Sequence, residues 1–200
     1  MMAVYSKLKV GVLALQGDFS RHCYQLGLLG IEAVEVRLPE QLEGLDALIV
    51  PGGESTTMST LIDRFGLRGP LTEFGCSRPV WGTCAGMIML AANIEDNQAG
   101  VRPLGLLDID VLRCGYGRQV LSFEADLTVN LNGTQARLAA AFIRAPKVTR
   151  LGPEVVSLAE YDKSPVLVSH EQLLASAFHT ELNDDTALLE YFLNKHVGAV

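Results

Sequence analysis

This sequence predicts an α/β fold: a mostly parallel central sheet with helices on both faces and added antiparallel strands. Three observations carry that expectation. Short apolar runs alternate with helix signals through the first half of the chain. The runs are apolar at successive positions, as in strands covered on both faces. After Asn93 the helix signals give way to shorter alternating segments rich in Gly and Pro, the pattern of antiparallel additions.

The elements follow in order. Lys9–Gln16 reads as a buried strand, and Asp18 is placed to cap a helix from Phe19 to about Gly30, with Cys23, Leu26 and Leu29 along its inner side. Ile31–Val36 and Asp46–Val50 are the second and third strands, the latter stopped by Pro51-Gly52-Gly53. Ser55 or Thr56 can cap a helix through Met58, Leu61, Ile62 and Phe65. Pro79–Gly82 is a fourth strand, followed by an apolar helix from about Ala85 to Ala92. Beyond it, Asp108–Arg113, Gln119–Ala125, Leu127–Leu131 and Ala140–Arg144 read as strands, with Asn132-Gly133 as a hairpin turn. Strands at Glu154–Tyr161, Pro165–Val168 and Leu173–Phe178 precede a closing helix, capped by Asp184 or Asp185 and running to about Asn194. No repeat or linker interrupts the chain, so residues 1–200 are expected to form a single domain.

Composition narrows the function classes. Of 200 residues, 48% are hydrophobic and 20% charged, a globular balance. The net charge of −7 opposes binding to phosphate backbones, so nucleic acid is not an expected partner. No apolar run reaches the ~18–20 residues of a membrane span, so no membrane association is expected. Val10–Leu15 is too short for the core of an export signal. The four cysteines, Cys23, Cys76, Cys84 and Cys114, form no C-x-x-C pair. Neither a metal nor a redox motif is indicated, and reduced thiols in a cytoplasm are expected.

Chemistry concentrates in three places. Gly82-Thr83-Cys84-Ala85-Gly86 has the form G-x-C-x-G between a strand and a helix, the setting of a nucleophile elbow with Cys in place of Ser. There the helix start favours a thiolate, and the Ala85 amide can face an oxyanion. A small buried Cys in a tight turn fits the motif equally well. A Cys nucleophile needs a base. In His179-Thr180-Glu181, alternate residues of an extended segment share a side, so Glu181 can orient His179. Pro51-Gly52-Gly53-Glu54-Ser55 puts flexible backbone amides at the carboxyl edge of the sheet, where open α/β sheets bind ligands. Alone, it reads as a plain strand–helix turn.

Together these three elements resemble the class I (triad) glutamine amidotransferases, whose fold is flavodoxin-like. Longer strings are similar to one branch, the glutaminase subunits of pyridoxal 5′-phosphate synthases. These are Val12-Leu-Ala-Leu-Gln-Gly17, Arg37-Leu-Pro-Glu-Gln-Leu42, Pro51-Gly-Gly-Glu-Ser-Thr-Thr-Met58, Gly117-Arg-Gln119, Ser122-Phe-Glu-Ala125 and Phe142-Ile-Arg-Ala-Pro146. The similarity runs from about Lys9 to Leu193.

The resemblance implies hydrolysis of L-glutamine to glutamate and ammonia. Ammonia would pass through a tunnel to a separate synthase subunit that makes pyridoxal 5′-phosphate, within a large heteromeric complex. It implies Cys84 as nucleophile, His179 as base and Glu181 as its partner. Gly52, Gly53, Glu54, Arg113, Ile143 and Arg144 would contact glutamine, with Gly53 and Ala85 forming the oxyanion hole. No cofactor and no metal are implied. The glutaminase would be weak until its partner binds. The chain departs from the family pattern at Thr180, where proline is usual, and at Cys114-Gly115-Tyr116, where Asn-Ser-Phe is usual. It also carries His170-Glu171-Gln172 for Gln-Gly-Gln, and His170 is placed on a turn outside the catalytic set. Two alternatives stay open: service to another amidotransferase pathway, and a non-catalytic binding subunit.

Overall fold

Five parallel strands make up most of a seven-stranded sheet. The computed structural model describes residue 5 and residues 7–115, 122–131 and 133–198. In chain order the sheet contains β1 (Val10–Leu13), β2 (Ala33–Val36), β3 (Ala47–Val50), β4 (Val80–Thr83), β10 (Val156–Tyr161), β11 (Ser164–His170) and β12 (Leu173–Ser176). Its spatial order is β10-β11-β12-β4-β3-β1-β2, with β2 through β12 mutually parallel and β11 and β10 added antiparallel. Every residue of β1, β3, β4 and β12 is buried, so both faces of the sheet are covered. Strand order reverses beside β1, which pairs with β2 on one side and β3 on the other. Ligand sites in open parallel sheets form at such a crevice.

The helices are α1 (Phe19–Leu28), α2 (Ser55–Arg64), α3 (Arg68–Ser77), α4 (Ala85–Leu90) and α5 (Ala187–Phe192), which continues into a π-helical turn, Leu193–Val197. Beside the main sheet lie a three-stranded sheet and a long hairpin. The first joins β5 (Ala91–Ile94), β6 (Leu107–Leu112) and β9 (Lys147–Leu151); the second pairs β7 (Ser122–Leu131) with β8 (Thr134–Ile143). Phe142 on β8 stacks on Phe123, with ring centres 4.6 Å apart, and meets Phe178 at 5.6 Å. These rings fasten the hairpin to the chain just before His179. No helix among the described residues is long and apolar enough to cross a membrane.

Several expectations need correction. The inner face of α1 is His22, Gln25 and Leu26, while Cys23 and Leu29 are only half-buried. Hydrophobicity misplaced this face because its polar side chains are buried with partners. Asp18 occupies the cap position of α1 but its carboxylate accepts from the Ser20 hydroxyl. Ser55 is the first residue of α2, and Glu54 precedes it as cap. Thr186 is the cap position of α5, although Asp185 accepts the Ala187 amide at 2.9 Å. The strands expected at Gln119–Ala125 and Leu127–Leu131 are one strand, β7, whose expected start at Gln119 lies outside the described residues, as do Gly117-Arg118-Gln119 and Asn132. The hairpin is present, with Leu131 opposite Thr134. His170 is the last residue of β11 and the turn begins at Glu171. Elements α3, β5 and β9 had no separate sequence signal: α3 carries Gly, Pro and Cys in its ten residues, RGPLTEFGCS, and β5 and β9 are only 4 and 5 residues long.

Candidate active site

Four strand ends converge at the carboxyl edge of the sheet. β1 leads to Gln16, β3 to Gly52 and Gly53, β4 to Cys84, and β12 to His179. Cys84 turns the chain directly from β4 into α4, with φ +50° and ψ −105°. Such a conformation strains a residue with a side chain and points to function. The turn is held by the Cys84 amide donating to the Ser176 carbonyl at 2.8 Å. Glycines at 82 and 86 make it possible. A Cβ on Gly86 would collide with the Val50 carbonyl, and one on Gly82 would lie 2.6 Å from the Gly86 carbonyl.

His179 meets Cys84 from the other side. Its backbone forms a two-bond bridge with Ala141 of β8, at 2.8 and 3.1 Å. Its Nδ1 lies 2.5 Å from Glu181 Oε1. Burial pushes the His179 imidazole toward its neutral form, but hydrogen bonds with Cys84 and Glu181, and their negative charge, outweigh it. The pKa is pushed up to about 10, which favours an imidazolium beside the sulfur. Burial likewise opposes charge on Glu181, yet the two nearby imidazoles hold its carboxyl below the usual range. Gly52 closes the gap between the catalytic pair: a Cβ there would collide with the His179 ring and lie 3.3 Å from Cys84 Cβ.

Helix α1 supports this arrangement from behind. Arg21 Nε donates to the Glu181 carbonyl at 2.9 Å. The Gln25 amide nitrogen donates to the carbonyls of Thr180, Asn183 and Asp185 at 3.0, 3.3 and 2.9 Å. His22 Nε2 lies 3.2 Å from the Thr83 hydroxyl and 3.5 Å from Glu181 Oε1. In front, the Gln16 side-chain Oε1 accepts the Glu54 amide at 2.9 Å and so fixes the Gly-Gly-Glu loop. Sequence reasoning missed Gln16, Arg21, His22 and Gln25. The available signal was the i, i+3 spacing of His22 and Gln25, which puts both on one helix face; hydrophobicity had placed Cys23, Leu26 and Leu29 on the inner side.

A cavity of about 290 Å³ opens over the catalytic pair. Gly52, Gly53, Glu54, Arg113, Ile143 and Arg144 all line it with Cys84, His179 and Glu181. Arg113 donates to the Glu54 carboxylate at 3.3 Å and to the Ser55 hydroxyl at 3.1 Å; Arg144 reaches the other Glu54 oxygen at 3.5 Å. Ala85 begins α4 just behind Cys84 and is buried. Cys114 adds a second thiol to the cavity wall. Among the described residues no group of His, Cys, Asp and Glu could hold a metal ion. The residues lining the cavity can supply nucleophilic attack by sulfur, proton transfer by His179 and charged anchors for a small zwitterion.

Comparison with known proteins agrees with this chemistry. The model of the SNO glutamine amidotransferase family matches residues 12–198. The pyridoxal 5′-phosphate synthase subunit PdxT of Dehalococcoides mccartyi is 49% identical over 188 residues, covering 93% of this chain and 96% of that protein. The subunit of the same name from Geobacillus kaustophilus is 47% identical, covering 94% of each. A crystal structure of a glutamine amidotransferase superposes with a TM-score of 0.88 at 48% identity, covering 94% of this chain and 98% of that one. The structure of PurLQS from Thermotoga maritima, at 15% identity and TM-score 0.68 over 96% of this chain and 98% of that one, shares the fold.

Proposed function

The chain belongs to the SNO glutamine amidotransferase family, and from that premise we propose that Cys84, His179 and Glu181 carry out its glutaminase reaction. It is the glutaminase subunit of a pyridoxal 5′-phosphate synthase, supplying ammonia from L-glutamine for vitamin B6 synthesis. Residues 1–200 act as one glutaminase domain. One observation carries the assignment of the site: a strained Cys84 and a charged His179–Glu181 pair meet under a cavity walled by Glu54, Arg113 and Arg144.

The Cys84 thiolate attacks the side-chain amide carbon of glutamine. The amides of Gly53 and Ala85 stabilise the oxyanion, one such donor contributing ~3 kcal/mol. The His179 imidazolium gives its proton to the departing nitrogen, so ammonia leaves and a γ-glutamyl thioester remains. His179, now neutral, takes a proton from water, which attacks the thioester; glutamate leaves and Cys84 returns as thiolate. Glutamine exchanges into the Glu54–Arg113–Arg144 ion-pair cluster. Its α-carboxylate takes the guanidinium groups and its α-ammonium takes Glu54, while Ile143 packs on its carbon chain.

The partner is the synthase subunit, in a large heteromeric complex through which ammonia is tunnelled. Docking adjusts the Gly52-Gly53 turn and completes the oxyanion hole. Four free thiols at Cys23, Cys76, Cys84 and Cys114 suit a reducing cytoplasm, where we place the reaction. Glutamate release from L-glutamine, measured with and without a pyridoxal 5′-phosphate synthase subunit, tests the reading. Release should rise on adding the synthase and vanish in Cys84→Ala. Release that survives in Cys84→Ala overturns the site, and equal release with and without the synthase overturns the partner dependence.

A further inference from the structure

The mechanism above leaves one buried titratable side chain of the site unused. His22 is 1% exposed, on α1, and makes an edge contact with Trp81 at 5.8 Å. Its Nε2 faces two groups at once. One is the hydroxyl of Thr83, the residue before the nucleophile, at 3.2 Å; the other is Glu181 Oε1, at 3.5 Å, the same oxygen that binds His179. Among the described residues His22 Nδ1 and Glu181 Oε2 have no hydrogen-bond partner.

These contacts favour one tautomer. A proton on Nδ1 would bury an unpaired N–H and aim the Nε2 lone pair at a carboxylate, two unfavourable arrangements. A proton on Nε2 leaves only an unpaired acceptor and gives Glu181 a second donor. The charged groups facing the ring are Glu181 and His179 from the segment after β12 and Asp18 from the turn before α1. Burial outweighs the attraction of the acids and pushes the His22 pKa down, which favours the neutral ring acting as a hydrogen-bond donor.

We propose that His22 is a positioning residue of the triad, whose Nε2–H, shared between Glu181 and Thr83, locks the carboxylate that orients His179 to the strand end that presents Cys84. The inference rests on the glutaminase reading of Cys84, His179 and Glu181. Without this donor, a carboxylate only 1% exposed loses one of the two imidazoles that hold it. It then stabilises the imidazolium less well, and the imidazolium stabilises the thiolate less well.

The test compares His22→Leu, His22→Asn and His22→Gln in the full chain with the synthase subunit present. Gln can carry an amide N–H near the Nε2 position; Asn is too short and Leu has no donor. Two quantities are read beside melting temperature: kcat and KM for glutamine, and the pH midpoint for alkylation of Cys84 by iodoacetamide, followed on the Cys84 peptide. For Leu and Asn we expect kcat to fall about tenfold with KM nearly unchanged, as for a lost hydrogen bond to a charged group. The alkylation midpoint should rise by about one pH unit, since a tenfold loss of thiolate stabilisation is one unit. His22→Gln should keep kcat within about threefold and leave the midpoint in place. If the Leu chain does not fold, the Asn and Gln pair still decides. A fall in melting temperature with kcat and midpoint unmoved overturns the proposal, as does equal impairment of Gln and Asn. Glutamate release persisting in Cys84→Ala would instead overturn the glutaminase reading, whereas the alkylation midpoint reports on His22 without turnover.

Discussion

The two halves of the catalytic pair reach the cavity by different routes. Cys84 is placed chiefly by its neighbours in the chain: a buried strand ends, two glycines permit a sharp turn, and a helix starts at the next residue. His179 and Glu181 are placed from a distance. Ala141 of the hairpin holds the backbone at His179, and Gln25 holds the loop carbonyl of Thr180 from 155 residues away. The first arm is a local strain device and the second is suspended between a helix and a hairpin. The nucleophile's turn is thus written mostly into five residues and pinned by Ser176 and Val50, while its base needs most of the fold to hold it.

The comparison can be broken most severely at the local arm. Gly86→Val pushes a side chain into the Val50 carbonyl; it should cost about 3 kcal/mol of stability and abolish turnover. Melting temperature and glutamate release check this, and a stable, active variant would mean that the elbow is not so tightly packed. Next comes the charge on the second arm. Glu181→Gln should lower kcat about 10²-fold or more, because the neutral amide no longer supports an imidazolium.

The same pair makes a pH prediction. His179 has a folded pKa raised from 6.5 to about 10. Its protonated form therefore stabilises the fold fully below pH 6.5, and that contribution is lost as pH rises through about 10. The gap in melting temperature between the native chain and His179→Asn should narrow steadily from pH 7 to 10. A gap that stays constant would mean that His179 is not held protonated.

Gln25→Leu tests the suspension without touching the charges. It strips donors from three carbonyls, which should cost about 1–3 kcal/mol and slow kcat several-fold while leaving the Cys84 turn intact. The smallest effect is expected from Thr180→Pro. The bonds that hold this residue use its carbonyl, which receives Gln25 and the Asn183 amide and which proline retains, so kcat should stay within about threefold. A large loss would show that the departure at Thr180 has been compensated elsewhere in the loop.

The sequence by itself determined the alternation of strands and helices, the strand ends that carry Cys84 and the Gly-Gly-Glu turn, and the H-x-E spacing. Those features are local, since period, capping and glycine content act within a few residues. It misread the inner face of α1, because hydrophobic patterning sends His22 and Gln25 to solvent unless their buried partners are known. It also split one long hairpin strand in two and missed α3, whose glycine, proline and cysteine dilute any helical pattern. Only the tertiary structure decided that α1 supports the Glu181 loop, that Ala141 bridges to His179, and that Arg113 and Arg144 converge on Glu54. Those contacts join segments tens to more than a hundred residues apart. Burial gives them their strength: a hydrogen bond shielded from water counts for more, and a missing one costs more.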